Sequence, residues 1–240
     1  MNPTRINTVF GTFMVPDLND VITTRLIEGK VIDPWVMDRI IALAPLNSLV
    51  VDVGAYYGDL LIPIADRRPD LQFIAFEVNQ KIVDLLYDNL RLHDLLNRVI
   101  VRCAAVYDGS CATICLPPVD GQISGGVNYA AFGVDPKRTD GQMVTTVTLD
   151  DVLKDTDGIS VLKIDAQGSD LAVMRGAQQV IKRTRPAILF EYEQGVTGVE
   201  NGHDYAPLRY PWPVYQQVID ALDYHVADHQ YDNYLLLPNS

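Results

Sequence analysis

The sequence is poor in several features that would each indicate a particular class of protein. It has three cysteines, Cys103, Cys111 and Cys115, an odd number with no further His or Cys pair at zinc spacing. Ordinary thiols are therefore favoured over a zinc site or a disulfide framework. No apolar run reaches the roughly 20 residues of a membrane helix, and the first residues lack the basic-then-apolar pattern of a signal peptide. We expect a cytoplasmic protein without a membrane span.

Positive charge is also scarce. The chain has 19 Lys and Arg against 31 Asp and Glu, for a formal net charge of −12 at pH 7. Nucleic-acid binding depends largely on Lys and Arg that neutralise phosphates, and the sequence contains no basic block and no stripe of interleaved aromatic and basic residues. A nucleic-acid partner is therefore not expected.

The order of apolar runs predicts one α/β domain. With 240 residues, 48% of them hydrophobic, the chain can bury one substantial core. We expect an N-terminal extension over residues 1–45 that packs on a single domain over residues 46–240. After a strand that begins at Val50, strand-length runs follow at Phe73–Asn79, Val99–Val106, Ile159–Asp165, Ala187–Glu193 and Asn233–Asn239. Helical spacing occurs at Asp59–Arg68, Gln80–Leu96, Asp170–Thr184 and Val214–Asp223.

Alternating strands and helices predict a parallel sheet covered on both faces, because right-handed crossovers place the connecting helices there. The last two strands are separated by the short polar link Asp228–Asp232, so they can pair as an antiparallel hairpin at one edge. We therefore predict a Rossmann-like α/β fold. Its sheet is mostly parallel and seven-stranded, with an antiparallel edge strand and helices on both faces.

The most informative local pattern is VVDVGAYYG at Val50–Gly58. An apolar run reaches Asp52 and then two glycines, which is typical of a buried parallel strand that becomes a ligand-binding loop at its carboxyl end. The next apolar run ends in Glu77, where a Rossmann-type fold places the acid that binds the ribose of a nucleoside cofactor. A tight strand-to-helix turn without a ligand would show the same two glycines. The prediction of a nucleoside site therefore depends largely on Glu77 at the end of the second strand.

The spacing of the glycines indicates which nucleoside. A dinucleotide site requires G-x-G-x-x-G around a pyrophosphate, whereas this loop has two glycines and a carboxylate that can accept hydrogen bonds from an ammonium, directly or through water. The predicted cofactor is S-adenosyl-L-methionine. A side chain at Gly54 is expected to enter the space that the cofactor needs. The predicted cofactor-binding residues are Asp52, Gly54, Ala55, Tyr56, Gly58, Glu77, Val78, Ala104 and Ala105.

A second region carries a family resemblance. The segment ISVLKIDAQGSDLAVMRGA at Ile159–Ala177, followed by RPAILFEYE at Arg185–Glu193, resembles the FkbM family of S-adenosylmethionine-dependent methyltransferases. Their signature is K-[IV]-D-x-E-G-x-E, then L-x-G-A and a strand ending in F-E. The resemblance extends from about Gly11 to Pro238. It implies a class I methyltransferase fold and O-methylation of a hydroxyl on a sugar, glycan or polar secondary metabolite, with a small-molecule or glycan acceptor as partner.

The chain departs from this signature at two positions. Gln167 stands where the family usually has Glu, and Asp170 replaces the second Glu. Because Gln167 is neutral, it cannot act as a base or a charged ligand, and a degenerate nucleoside-binding protein without catalysis stays an alternative. A metal-dependent small-molecule O-methyltransferase is a second alternative, because Asp165 and Glu191 lie where such enzymes place magnesium ligands. A third oxygen ligand is not evident, so no metal is predicted.

Candidate catalytic residues come from neighbouring strand ends. Lys163 and Asp165 lie two apart on one strand and share a face, and Glu191 ends the next strand, so each can orient or deprotonate an acceptor hydroxyl. A buried Lys163–Asp165 ion pair and a turn cap by Glu191 are the structural alternatives.

His203, in the loop after that strand, is a candidate general base, or a solvated loop residue. Residues 107–147 and 194–213 are predicted to form the acceptor site. The oligomeric state stays open.

Overall fold

The computed structural model describes residues 1–116, 122–123, 126–127, 141–192 and 210–240. The strands are β1 (Thr4–Thr8), β2 (Gly11–Val15), β3 (Leu49–Val53), β4 (Gln72–Glu77), β5 (Val99–Cys103), β6 (Ala105–Val106), β7 (Thr113–Leu116), β8 (Gln122–Ile123), β9 (Gly126–Val127), β10 (Gln142–Val147), β11 (Ile159–Ile164), β12 (Ala187–Glu191), β13 (Tyr224–Gln230) and β14 (Asn233–Pro238). The helices are α1 (Val21–Ile27), α2 (Pro34–Leu43), α3 (Leu61–Arg67), α4 (Gln80–Leu92), α5 (Leu149–Val152), α6 (Asp170–Arg175), α7 (Gln178–Thr184) and α8 (Trp212–Leu222).

The central sheet has seven strands in the order β13-β14-β12-β11-β3-β4-β5. Neighbouring strands from β12 to β5 pair in parallel, and β14 runs antiparallel to both β12 and β13. The mainly parallel sheet with an antiparallel hairpin at one edge is therefore confirmed. The reversed strand is the inner member of that hairpin.

The sheet is buried on both faces, as the continuous apolar run of β3 predicts. Successive side chains of a strand point to opposite faces. Accordingly, Val50 joins a cluster with residues of α3 and α4, whereas Val51 joins a cluster with residues of α6, α7 and α8. Helices on both faces of the sheet are thus confirmed. In the described ranges, no helix is long and apolar enough to cross a membrane.

The N-terminal segment packs on this core. Phe13, Leu26 and Ile40 are buried in the same cluster as Val50. The buried Asn89 of α4 accepts a hydrogen bond from Met14 N at 2.6 Å and donates to Met14 O at 2.9 Å. The hairpin β1–β2 is therefore attached to α4 by both apolar and polar contacts. A boundary between extension and domain near residue 45 stays a prediction.

The helix predicted over Asp170–Thr184 is two helices, α6 and α7. At the break, Asp150 N donates to Gly176 O at 2.9 Å, and Val180 N donates to Asp150 Oδ1 at 2.8 Å. A Cβ on Gly176 would lie 2.1 Å from the Tyr107 carbonyl oxygen. The continuous helix was therefore a wrong prediction, because residues distant in sequence take over the hydrogen bonds at this point.

Two other elements are shorter than predicted. The helix predicted to reach Leu96 ends at Leu92, and Asp94 adopts a left-handed φ of +57°. The strand predicted over Val99–Val106 divides at Ala104, whose N–H donates to Glu77 O at 3.1 Å. The second piece, β6, pairs with β10 in a separate sheet of order β6-β10-β7. The end of α4 is a local cap, in which Leu95 N donates to Leu90 O at 2.8 Å, whereas the break at Ala104 depends on a tertiary contact.

Candidate active site

The carboxyl ends of β3, β4 and β11 meet at one edge of the sheet, where a pocket opens. Gly54 N and Ala55 N donate to Phe76 O at 2.9 and 3.0 Å, and Asp165 N donates to Val53 O at 3.0 Å. Backbone hydrogen bonds therefore join the three strand ends. The ligand edge of an open α/β sheet lies at this position.

Gly54 is required by the close approach of two loops. Its φ is +83°, and a Cβ built on it would lie 2.0 Å from the Asp165 carbonyl oxygen. The fold itself therefore demands glycine at this position, and the expectation that a side chain there would enter cofactor space stays a prediction. Gly58 has a φ of +89°, and a Cβ there would lie 2.9 Å from Leu86 Cδ1. Gly58 therefore supports the turn. It is not one of the described residues that line the pocket.

The carboxylate of Glu77 is held by the backbone around it. Oε1 accepts from Val78 N at 2.8 Å and Asn79 N at 2.9 Å, and Oε2 accepts from Tyr56 N at 3.1 Å. Burial raises the pKa of Glu77, and the three backbone donors and the charge of Lys163 oppose that shift. Three of the roughly four acceptor positions of this carboxylate are therefore filled, and a position on Oε2 stays open to a hydroxyl group.

The remaining predicted cofactor residues lie around the same pocket, with an apolar wall that sequence analysis did not single out. The predicted residues that line it are Asp52, Gly54, Ala55, Tyr56, Glu77, Val78, Ala104 and Ala105. The apolar residues that join them are Ile22, Ile32, Leu60, Phe76, Val106 and Leu116. Each of these belongs to an ordinary apolar pattern, which gives no signal of a ligand. The pocket thus combines an apolar wall with carboxyl groups, among them Asp52 and Glu77 near the ends of β3 and β4.

Lys163 is the centre of a buried ionic group. Its Nζ donates to Asp52 Oδ1 at 2.9 Å and to Gly54 O at 3.2 Å, and it lies 3.6 Å from Asp165 Oδ2. Burial lowers the pKa of Lys163, but Asp52 and Asp165 outweigh that effect and raise it above its ordinary value. Lys163 is therefore an ammonium that can donate a hydrogen bond or hold a carboxylate. The partner at shortest distance is Asp52, which sequence analysis did not pair with it.

Asp165 and Glu191 face each other across one side chain. Gln167 Nε2 donates to Asp165 Oδ1 at 2.8 Å and reaches Glu191 Oε2 at 3.5 Å. The Asp165 side chain is 32% exposed, whereas those of Lys163 and Asp52 are 7% and 6% exposed. Asp165 is thus the member of the ionic group that a molecule entering the pocket can reach.

Two further carboxyl groups that line the pocket, those of Asp33 and Asp59, carry no functional signal in the sequence. Asp33 lines the pocket from the N-terminal segment and accepts from Asn233 Nδ2 at 3.3 Å. Burial and the nearby Asp165 raise the pKa of Asp33. Burial also raises the pKa of Asp59 to about 8 and that of Asp170 to about 7. An Asp before a Pro at a helix start predicts a simple cap, so tertiary structure alone brings Asp33 to the pocket.

Some predictions fall beyond the described residues. His203 lies outside them, as do parts of the predicted acceptor segments 107–147 and 194–213. Within the described ranges, no group of three or more His, Cys, Asp or Glu side chains is arranged to hold a metal ion.

The sheet order, with the pocket at the carboxyl ends of its parallel strands, is that of the class I methyltransferase fold. The family model described as the methyltransferase FkbM domain matches residues 52–226, so the chain belongs to the FkbM methyltransferase family. The family membership that the sequence resemblance indicated is thereby confirmed.

Solved structures support the fold. The methyltransferase FkbM of Methylobacillus flagellatus KT is 16% identical with a TM-score of 0.51, and the match covers 79% of this chain and 43% of that one. A Staphylococcus aureus protein provisionally named caffeoyl-CoA O-methyltransferase is 11% identical with a TM-score of 0.52, covering 87% of this chain and 85% of the other. This chain thus spans less than half of the Methylobacillus protein. No curated protein matches it.

Proposed function

We propose that the pocket binds S-adenosylmethionine with its ribose at Glu77. The fixed carboxylate of Glu77 keeps an open acceptor position on Oε2, which can bind a ribose hydroxyl. The apolar wall that includes Phe76, Val106 and Leu116 suits a flat base, as ligand pockets combine apolar walls with few polar groups. Asp52 lies at the other strand end, beside Lys163, where its carboxylate can accept from the amino group of the methionine part.

A substitution at Glu77 tests this placement. Glu77→Ala removes hydrogen bonds to a charged acceptor, each contributing about 1.5–3 kcal/mol, and leaves three backbone N–H groups without their partner. We expect a lower melting temperature without ligand and no further rise when S-adenosylhomocysteine is added. Asp84→Ala is the control, because Asp84 is a carboxylate on exposed α4 surface that accepts from Gln80. An undiminished ligand-induced rise in Glu77→Ala would contradict the placement.

For the reaction, we propose methyl transfer to a hydroxyl of a sugar, glycan or polar secondary metabolite. The observation that carries it is the accessible Asp165 carboxylate beside the buried Lys163 ammonium in this pocket. S-adenosylmethionine supplies a sulfonium methyl group, and the C–S electron pair stays on sulfur as the acceptor oxygen bonds to the methyl carbon. Asp165 accepts the proton of that oxygen. The Lys163 ammonium keeps the Asp165 carboxylate in place. Lys163 does not itself act as the base, because its raised pKa keeps it protonated.

The charge of the pocket supports an uncharged polyhydroxy acceptor. Among the described residues, its lining includes five carboxyl residues, Asp33, Asp52, Asp59, Glu77 and Asp165, and one cationic residue, Lys163. Burial raises the pKa of Asp59 to about 8, so the negative charge of the pocket near neutral pH is carried by the other carboxyl residues. A phosphate or carboxylate on the acceptor would meet repulsion there, whereas hydroxyl groups donate well to carboxylates. Transfer of tritiated methyl groups to neutral glycosides, compared with uronic acids, sugar phosphates and amines, tests this class. Transfer to amines alone would overturn the O-methylation proposal.

The role of Asp165 is tested by Asp165→Asn, which keeps the shape of the side chain and removes its charge. A positioned base contributes roughly 10²–10⁴ in rate, so kcat should fall by that factor while the affinity for S-adenosylmethionine changes little. If Asp165 is only an ion-pair partner of Lys163, the variant should instead lose stability and keep its rate per folded molecule. Melting temperature and single-turnover rate are measured on one preparation. A stable variant with full activity would show that Asp165 is neither the base nor an ion pair that stabilises the fold.

A further inference from the structure

The side-chain amide of Gln167 lies between two carboxylates. It donates to Asp165 Oδ1 at 2.8 Å and to Glu191 Oε2 at 3.5 Å. The nitrogen of the amide faces these groups, because its oxygen would meet two negative charges. One neutral side chain therefore bridges the ends of β11 and β12.

The loop holds Gln167 in a conformation that non-glycine residues rarely adopt. Its φ is +47° and that of Gly168 is +89°. A left-handed conformation is unfavourable for a residue with a side chain, and it persists where the surroundings fix it. Asp170 fixes the loop in this conformation, because its carboxyl group accepts hydrogen bonds from Gly168 N at 3.2 Å and from Glu191 N at 3.4 Å. The same carboxyl group thus ties the loop of Gln167 to the strand end of Glu191.

Two neighbouring carboxylates usually share a proton or a cation. Here Lys163 lies on one side of Asp165, 3.6 Å from Oδ2, and the N–H groups of Gln167 lie on the other. We propose that Gln167 is a positioning residue, whose amide takes the place of a cation between Asp165 and Glu191 and fixes Asp165 for the acceptor. This inference rests on the proposed function, in which Asp165 accepts the proton.

The first arm of the test needs no acceptor. Gln167→Glu would place three carboxylates together, which is a ligand set for a hard divalent cation. We expect this variant to bind Mn²⁺ about tenfold or more tightly than the unsubstituted protein, measured from the electron paramagnetic resonance of free Mn²⁺. Adding Glu191→Gln should abolish the gain. Gln216→Glu is the matched control, because Gln216 also donates to an Asp, at 2.7 Å, on the surface of α8.

The second arm measures turnover on the glycoside that accepts methyl groups. Gln167→Gly suits the positive φ and removes the amide, so we expect an intact fold and a kcat lowered about 10–100-fold. The KM for S-adenosylmethionine should stay within about twofold, because the cofactor residues are untouched. Gln167→Asn keeps an amide in a residue that tolerates this conformation and should recover part of the rate. A merely structural role would show no such recovery at equal melting temperature.

Two results would overturn the inference. One is wild-type kcat in Gln167→Gly, and the other is Mn²⁺ binding by Gln167→Glu no tighter than that of the unsubstituted protein. Failure of the proposed function is recognised separately, as full turnover in Asp165→Asn. If Asp165→Asn is inactive and Gln167→Gly keeps its full rate, Asp165 is supported as the base and the positioning role of Gln167 is refuted.

Discussion

At the scale of single residues, Gly54 joins two strand ends that form the pocket. Gly54→Ala should destabilise the protein by about 3 kcal/mol or more, because the left-handed φ is strained for alanine and the new Cβ would overlap the Asp165 carbonyl oxygen, 2.0 Å away. Gly158→Ala is the matched control, since Gly158 has a φ of +73° with no atom within 4 Å of its Cβ position. That variant should lose about 1 kcal/mol. Equal losses in chemical denaturation would show that the overlap does not matter.

Residues that end a strand could be predicted from the sequence. Glu77, Lys163 and Asp165 follow apolar runs, and the carboxyl ends of parallel strands meet at one edge, so their approach to one pocket follows from the pattern. Asp33 could not be found in this way, because its place in the pocket depends on how the N-terminal segment packs. The pairing of Lys163 with Asp52 depends on the register of β11 against β3, which periodicity does not specify.

At the scale of elements, Asn89 connects the N-terminal hairpin to the domain. It exchanges hydrogen bonds with Met14 and donates to Tyr57 O at 2.8 Å. Asn89→Ala would remove this partner from the buried Tyr57 carbonyl and from the partly buried backbone groups of Met14, and each unsatisfied buried group costs about 1–3 kcal/mol. We expect a total loss of roughly 2–4 kcal/mol in chemical denaturation.

The control for Asn89 is its exposed neighbour on the same helix. Asp88 pairs with Arg91 at the surface, and exposed ion pairs contribute little, so Asp88→Ala should change stability by less than about 1 kcal/mol. If Asn89→Ala behaved like Asp88→Ala, the attachment would rest on apolar contacts alone.

Element types were predicted better than their ends. Apolar periodicity identifies α4, α8 and the central strands because it reports which faces are buried. The break between α6 and α7 escapes it, since the apolar spacing continues across Gly176 while the hydrogen bonds of Asp150 interrupt the helix. Helix and strand ends are set by such tertiary partners, which sequence spacing does not show.

At the scale of the whole molecule, acidic residues are both abundant and internal. The net charge is −12, and Asp59 and Asp170 are buried, with 4% and 1% of their surface exposed. Burial raises the pKa of Asp59, and Asp52 and Asp20 add to this effect while Lys163 opposes it. Burial and the charge of Asp165 act similarly on Asp170. The folded chain therefore binds protons that the unfolded chain releases.

This difference makes stability depend on pH with a definite sign. In the unfolded chain Asp loses its proton near 3.8, whereas in the folded chain Asp59 loses it at about 8 and Asp170 at about 7. Between these values the folded state holds more protons, so the free energy of unfolding falls as pH rises, by about 1.4 kcal/mol per pH unit for each extra proton. The contribution of both groups is fully present below the unfolded value and is lost as pH rises through the folded values.

We therefore expect the melting temperature to decrease steadily from about pH 5 to about pH 9. Asp59→Asn should flatten this dependence, because the amide carries no proton to lose, and the variant should be more stable than the unsubstituted protein on the alkaline side. Asp84→Asn removes the same unit of net charge at an exposed carboxylate that accepts from Gln80, so it corrects for general charge repulsion and should leave the slope unchanged. Calorimetry of the three proteins across this range checks the expectation. A melting temperature that rises with pH, or equal slopes for Asp59→Asn and Asp84→Asn, would show that Asp59 is not held protonated by the fold.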